Sequence, residues 1–272
     1  MIIGLLGPQG TYSQKAANQL DINARLKYFD DLEDVIESVL AGDVDCGILP
    51  IENSLEGSIG ITLDALKEHD ITITGEIIVP IRHCLLSKGH MEDVKIILSH
   101  PQGLAQCRRF IRTHFKNART QTTGSTSHAA KLTSEFPEMA AIASRESALH
   151  YGLDILADDI QDHKENYTRF VVLGKQMPEP TGHDKTSIII HLGHDRPGGL
   201  YDLLGEFASR NINLTKIESR PSKLGLGDYL FYIDMEGHQS DTRLKDALKG
   251  IENLADQIKV IGSYPMGIRK IS

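Results

Sequence analysis

From Ile2 to Ala157 the chain repeats one pattern: a short apolar run, a loop of small polar residues, then a stretch whose apolar side chains recur at helical spacing. A short apolar run bounded by turn residues fits a buried strand, and an amphipathic helix after it supplies the cover, so this region is restricted to an α/β architecture. The first repeat is a strand over 2–6, the loop Gly7-Pro8-Gln9-Gly10-Thr11-Tyr12-Ser13, and a helix over 14–20 with Ser13 as the expected N-cap. The second has a strand over 24–29 and a helix capped by Asp31, whose Leu32, Val35, Ile36, Val39 and Leu40 fall at i, i+3, i+4, i+7 and i+8. A third strand over 46–49 opens into the polar junction Pro50-Ile51-Glu52-Asn53-Ser54-Leu55-Glu56-Gly57, followed by a helix over 61–69.

Residues 71–86 read as strand interrupted by Pro80, which cannot donate to a central ladder and marks an edge or a crossing between two lobes. Beyond it the pattern restarts. A strand over 94–98 leads through Ser99-His100-Pro101-Gln102-Gly103 into a helix reaching about 115. A strand over 119–122 leads through Thr123-Gly124-Ser125-Thr126-Ser127 into a helix over 128–135; a strand over 140–143, a short helix and a strand over 154–157 complete the lobe. Residues 175–185 hold two prolines, a glycine and no apolar period, and read as a linker. After it come a strand over 186–192, a helix after Asp195-Arg196-Pro197-Gly198-Gly199, strands over 214–219 and 229–236, a helix over 241–251 and a strand over 258–261. That order is βαββαβ, the ferredoxin-like split motif.

Composition narrows the function. A net charge of −8 and a pI near 5.8 speak against nucleic-acid or anionic-membrane partners, so any anion must be met by local groups. Cys46, Cys84 and Cys107 have no metal-ligand spacing and read as reduced core thiols in a cytoplasmic protein, with no metal site. The apolar start breaks at Gly7-Pro8 and reads as a first strand, not a signal peptide, and no run is long enough to span a membrane.

Chemistry concentrates at the loops. Each helix that follows a loop of small polar residues offers free backbone N–H groups and a partial positive charge, and several converging would bind an anion without many lysines. Thr168 and Arg169, at the mouth of the apolar run over 170–174, need a polar partner of the same kind. Thr11, Ser13, Asn53, Ser54, Gln102, Ser125, Thr126, Thr168 and Arg169 are therefore expected to line one cleft.

Five of these stretches, Gly7-Pro-Gln-Gly-Thr-Tyr-Ser13, Pro50-Ile-Glu-Asn-Ser-Leu-Glu-Gly57, Ser99-His-Pro-Gln102, Gly124-Ser-Thr126 and Asn166-Tyr-Thr-Arg-Phe170, together resemble the prephenate dehydratase family, in the same order and at similar spacing. The region after the linker resembles the ACT regulatory domain through Arg196-Pro-Gly-Gly-Leu200 and Ile217-Glu-Ser-Arg-Pro221. The resemblance implies an α/β fold with a two-lobed catalytic domain, arranged like a type II periplasmic binding protein, over 1–175, with one lobe over about 1–78 and 158–175 and the other over about 79–157. A linker over 176–185 and an ACT domain over 186–272 would follow. It implies a monofunctional lyase that converts prephenate to phenylpyruvate, water and carbon dioxide without a cofactor, since no helical chorismate mutase segment is visible.

By the same resemblance Thr168, Arg169 and Phe170 are the catalytic residues, with Thr168 donating toward the departing hydroxyl and Arg169 holding carboxylate. Thr11, Asn53, Ser54, Gln102, Ser125 and Thr126 would bind substrate. From its own setting Phe170 reads better as a core anchor than as an aromatic wall against water, His100 as a proton donor or a turn residue, Glu52 and Glu56 as loop-ordering acids, and Arg145 as a second cation or a solvated helix start. L-Phenylalanine would bind between ACT domains of a homodimer or homotetramer, through Gly198, Gly199 and Leu200 of one subunit and Asn213, Leu214, Glu218, Ser219 and Arg220 of the facing one. Where the family usually has Gly-Ala-Leu, this chain has Gly198-Gly199-Leu200. Two rival readings are dehydration of arogenate and a non-catalytic ligand sensor. A signal from the effector domain would reach Thr168 along the run over 170–174.

Overall fold

The computed structural model describes residues 1–193, 196–223, 225 and 227–267. The chain divides into two compact units, residues 1–59 with 77–170, and residues 60–76 with 171–267.

The first unit opens with β1 (Ile2–Leu6), α1 (Tyr12–Leu20), β2 (Arg25–Phe29), α2 (Leu32–Ala41), β3 (Cys46–Asn53) and β4 (Gly57–Ser58). β1 lies between β2 and β3 and is parallel to both. Its Ile3 and Leu5, with Ile48 of β3 and Val35, Ile36 and Val39 of α2, are buried as the alternation and the helical spacing require. The cap of α1 differs from expectation: Gln14 N donates to Thr11 Oγ1, and Ser13 is already inside the helix. Gly10, at φ +81°, turns the chain earlier than the sequence suggests, and its N–H is taken by the Gln14 side chain at 2.7 Å. The junction over 50–57 is also more regular than expected. β3 runs through Pro50 to Asn53 and folds back as β4, with Glu52 opposite Ser58 and Asn53 opposite Gly57.

α3 (Gly60–Glu68) and the first part of β5 (Thr72–Pro80) belong to the second unit, and the chain re-enters the first within β5. There follow β6 (Cys84–Ser87), β7 (Ile96–Ser99), α4 (Pro101–Gln106), α5 (Arg108–His114), β8 (Arg119–Thr122), α6 (Thr126–Thr133), β9 (Met139–Ala143), α7 (Arg145–Tyr151) and β10 (Asp154–Ala157). These strands form a sheet ordered β10-β6-β9-β7-β8. Alternate residues feed two cores: Leu86, Leu98, Ala141 and Ala143 pack with Ala129 and Ala130 of α6, while Leu85, Ile97, Ala140 and Ile142 pack with Cys107 and Phe115. The single helix expected up to about 115 is two, because Cys107 leaves helical geometry at ψ 20°. The Asp162 carboxylate accepts the freed N–H of Arg109 at 3.1 Å, which satisfies one orphan donor of α5. β11 (Tyr167–Gly174) neighbours β3, and the chain crosses into the second unit within it.

The second unit contains β12 (Asp184–His191), α8 (Gly199–Ala208), β13 (Leu214–Pro221), β14 (Tyr229–Glu236), α9 (Thr242–Ile251) and β15 (Gln257–Pro265), the expected βαββαβ order. The sheet runs β13-β14-β12-β15 with antiparallel pairs throughout. Ile188, Ile190, Ile233 and Met235 from the sheet pack against Leu203 and Phe207 of α8 and Leu244, Ala247 and Ile251 of α9. β12 starts two residues before the expected strand because the Asp184 carboxylate gathers Thr181 N, Thr181 Oγ1 and Gly182 N at 2.7–2.9 Å and fixes the turn. α3 is held by the same unit: Arg220 Nη2 pairs with Asp64 Oδ1 at 3.2 Å, Tyr232 donates to Leu63 O at 3.2 Å, and Lys259 Nζ caps the C-terminal carbonyls of Leu66 and Lys67.

Candidate active site

Three helix starts in the first unit open onto one cavity of about 410 Å³. α1 brings Thr11, Tyr12 and Ser13; α4 brings His100, Gln102 and Gly103; α6 brings Gly124, Ser125 and Thr126. The caps occupy side-chain oxygen or nitrogen: Thr11 Oγ1 accepts from Gln14 N, His100 Nδ1 from Gln102 N, and Ser125 Oγ from His128 N. Remaining first-turn N–H groups and the helix dipoles give this wall a positive potential, although no lysine or arginine is among the described lining residues.

β3 and β11 supply another wall. Asn53, Thr168 and Phe170 line the cavity, and all three are buried. Asn53 Nδ2 donates to Thr168 Oγ1 at 3.0 Å and to Asn166 Oδ1 at 2.9 Å, while Asn53 Oδ1 accepts the backbone N–H of Leu55 and Glu56 at 3.0 and 3.2 Å. The turn after β3 therefore fixes the asparagine, and the asparagine fixes the threonine.

Two residues expected in the cleft stand elsewhere. Neighbours on a strand point to opposite faces, so Arg169, between Thr168 and Phe170, is off the cavity, as is Glu52 beside Asn53; Arg169 Nε lies 3.7 Å from Glu52 Oε2. Ser54 fastens β3 to β11, donating its N–H to Tyr167 O at 2.8 Å and accepting from Tyr167 N at 2.9 Å, and it does not line the cavity. Arg145 is exposed and paired with Asp158. Thr11, Asn53, Gln102, Ser125, Thr126, Thr168 and Phe170 do come together, and His100 both caps α4 and faces the cavity.

The site also holds groups not expected there from the sequence: Tyr12, Glu56, His83 and Gln106 line it, and Asn166 is buried behind it. Gln106 Nε2 donates to Glu56 Oε1 at 3.0 Å, and Gln106 Oε1 lies 2.9 Å from both Asn166 Nδ2 and His83 Nε2. Burial holds the His83 imidazole below its ordinary pKa, against the Gln106 contact. Burial and the charge of Glu146 keep the Tyr12 phenol well above its own, so it is a neutral donor, to Arg82 O.

In the second unit Gly198, Gly199 and Leu200 line a cavity of about 340 Å³ with Arg196, Tyr201, Asp228 and Tyr229. Asn213 donates to Glu236 at 2.9 Å and lines a different hollow; Leu214, Glu218, Ser219 and Arg220 follow along β13. Arg220 is turned to Asp64 and, at 3.9 Å, Glu218.

A cavity lined by three helix starts in an α/β unit, with a βαββαβ unit following it in the chain, fits an enzyme with a regulatory module. Residues 3–178 match the prephenate dehydratase family and residues 186–253 match the ACT domain. The prephenate dehydratase of Methanocaldococcus jannaschii is 42% identical over 269 residues, covering 95% of this chain and 96% of that protein. A bifunctional chorismate mutase/prephenate dehydratase of Stutzerimonas stutzeri is also 42% identical over 269 residues, covering 98% of this chain and 73% of the relative. The crystal structure of prephenate dehydratase in complex with L-Phe from Arthrobacter aurescens superposes with a TM-score of 0.89 at 37% identity, covering 97% of this chain and 90% of that one. The chain belongs to the prephenate dehydratase family, a family of lyases, and carries an ACT domain.

Proposed function

We propose that the cavity in the first unit performs the decarboxylative dehydration of prephenate to phenylpyruvate, with Thr168 as the group that touches the departing hydroxyl. The observation that carries this is the Thr168 hydroxyl, buried at the cavity wall and accepting from Asn53 Nδ2 at 3.0 Å, which leaves its own hydrogen to donate. The carbon–carbon bond to the ring carboxylate breaks and its electron pair enters the ring, which becomes aromatic. The carbon–oxygen pair leaves with the hydroxyl, which takes up one proton to become water, and carbon dioxide departs. Most of the driving force comes from aromatisation, so the protein has to orient the two carboxylates and stabilise the leaving oxygen. With Arg169 on the far face of β11, the helix starts at Thr11, His100 and Ser125 are the anion-holding groups, assisted by Gln102 and Thr126. Phe170 contributes the apolar wall beside them.

In this reading residues 1–175 form the catalytic domain and 186–272 the effector domain, in a cytoplasmic homodimer or homotetramer. L-Phenylalanine binds at Gly198, Gly199 and Leu200, and a facing subunit supplies Asn213, Leu214, Glu218, Ser219 and Arg220. Support comes from the cavity at Gly198 to Leu200 and from the L-Phe complex of the Arthrobacter aurescens structure. No helix among the described residues is long and apolar enough to cross a membrane, and all three cysteines are free.

The test is incubation of the pure protein with prephenate and, in parallel, arogenate, following phenylpyruvate by its ultraviolet absorbance in base and phenylalanine by chromatography. Phenylpyruvate forming well above the spontaneous background, and falling when L-phenylalanine is added, is the expected result. Turnover of arogenate alone would reassign the substrate, and turnover of neither would leave a ligand sensor.

A further inference from the structure

Thr168 is the end of a chain of side-chain amides whose polarity is fixed at both ends. At one end, Asn53 Oδ1 accepts two backbone N–H groups, so the Asn53 amide cannot be reversed and its Nδ2 must be what faces Asn166 and Thr168. At the other, Gln106 faces the Glu56 carboxylate, which takes a donor, so Gln106 presents Nε2 to Glu56 and Oε1 to the interior. Asn166 lies between and is determined by both: Oδ1 toward Asn53, Nδ2 toward Gln106. The second group on Gln106 Oε1 is His83 Nε2, at 2.9 Å, and a carbonyl oxygen there requires this nitrogen to carry the proton. His83 is 2% exposed; its backbone N–H is taken by Gln161 Oε1 at 2.9 Å, and its other ring nitrogen, Nδ1, lies 3.4 Å from the Tyr12 hydroxyl.

We propose that His83 is a positioning residue for the dehydration: its Nε2–H on Gln106 Oε1 holds in place the amide chain Gln106–Asn166–Asn53, whose last member donates to Thr168 and leaves the threonine hydrogen free to donate into the cavity. Without that donor the Gln106 carbonyl keeps Asn166 Nδ2 as its one remaining partner in a buried site and the Gln106 amide is anchored through Glu56, so Asn166 and, through it, Asn53 are held less firmly beside the catalytic hydroxyl. This rests on the prephenate reading for its kinetics but not for its geometry, which can be tested without substrate.

Two measurements separate these. Nitrogen-15 NMR of the histidine rings in the substrate-free protein should show His83 as the neutral Nε2–H tautomer; the Nδ1–H tautomer or a charged ring overturns the proposal whatever the substrate. In kinetics with prephenate, His83→Leu should lower kcat by about tenfold or more, the scale of one lost buried hydrogen bond, with KM changed less than about twofold. His83→Gln, which can still offer an amide N–H to Gln106, should recover most of that loss. In a Gln106→Ala background the His83→Leu substitution should add little, because the effect passes through Gln106. A full extra loss in that background, or equal loss in His83→Leu and His83→Gln with unchanged folding by circular dichroism, would mean that His83 acts directly or only structurally. Turnover of prephenate by neither wild type nor variant, with the expected tautomer present, would overturn the substrate and leave the geometry standing.

Discussion

Lys185 Nζ stands 2.8 Å from each carboxylate oxygen of Glu76, with both side chains shut off from solvent, so β12 and β5 share one buried ion pair inside the second unit. Gly267 N adds a third donor to the same carboxylate at 2.9 Å. Removing one partner strands a charge in a site closed to solvent, at a cost of roughly 3–5 kcal/mol, whereas replacing both by apolar groups of similar size is often neutral. Glu76→Leu should therefore lower the unfolding midpoint by roughly 6–20 °C, at about 2–4 °C per kcal/mol for a chain of this size. The double variant Glu76→Leu/Lys185→Met should recover most of the loss in a thermal melt. A double variant as unstable as the single one would show that packing, not the stranded ammonium, sets the cost.

Thr168 makes a sharper demand on activity than on stability. Its hydroxyl accepts from Asn53, and the residue is buried near the start of β11. Thr168→Ala should reduce kcat by about 100- to 1000-fold, the scale of losing a donor aimed at developing charge, with the melting temperature nearly unchanged. Thr168→Ser keeps the hydroxyl and should retain a substantial share of the rate. Near-normal turnover by the alanine variant would remove Thr168 from the reaction.

The split between Thr168 and Arg169 shows where the sequence is readable and where it stops. That both belong to one polar strand mouth follows from their setting before an apolar run, and so does the convergence of Thr11, Gln102 and Ser125, since each precedes a helix or opens one. Which of two adjacent residues faces the cavity depends on the register of β11 against β3, a single-residue parity that a short polar motif does not encode. Gln106 and His83, and the link that Asn166 makes between Gln106 and Asn53, escape a sequence reading for a related reason. The three residues are separated from one another by 23 to 83 positions, and only the packed fold brings Gln106 within 2.9 Å of both His83 and Asn166. Their one sequence signal is negative: a glutamine inside α4 and a histidine just before β6 occupy positions where an apolar side chain would bury more cheaply. The βαββαβ order of the second unit is legible because its periodicities are clean, but the inclusion of residues 60–76 in that unit, the run of β15 to Pro265 and the early start of β12, which depends on the turn built by Asp184, are not.

That turn gives a pH signature. Burial pushes the Asp184 carboxyl up, but the Thr181 hydroxyl and the backbone N–H groups of Thr181 and Gly182, with His238 nearby, pull it further down, and the net position is below the usual carboxylate value. A group depressed in the folded state stabilises above the unfolded carboxylate range of about 4, and that contribution is lost as pH falls through the lower folded value. The stability gap between wild type and Asp184→Asn should thus be constant from neutral pH down to about pH 5 and shrink below about pH 4. Urea unfolding at several pH values measures it. A gap that is the same at both ends of the range would show that the turn does not need the charge.

The glycine pair at the start of α8 separates two meanings of an extra methyl group. Gly198 sits at φ +84°, where an L side chain is strained even though, among the described residues and apart from its chain neighbours, no atom lies within 4 Å of where its Cβ would stand, so Gly198→Val costs about 1–2 kcal/mol by backbone strain or moves the loop. Gly199 is helical, and a Cβ there would meet Arg196 Cγ at 3.6 Å and Leu192 Cδ1 at 3.8 Å, ordinary contacts. Gly199→Ala should therefore stabilise the protein by up to about 0.5–1 kcal/mol through helix propensity and keep both the thermal shift and the inhibition caused by L-phenylalanine. Gly198→Val should lose both responses while retaining basal turnover of prephenate, because the loop and not the cavity in the first unit is altered. Differential scanning fluorimetry with and without L-phenylalanine, alongside the phenylpyruvate assay, reads all four outcomes. An intact L-phenylalanine response in Gly198→Val would move the effector site away from this loop.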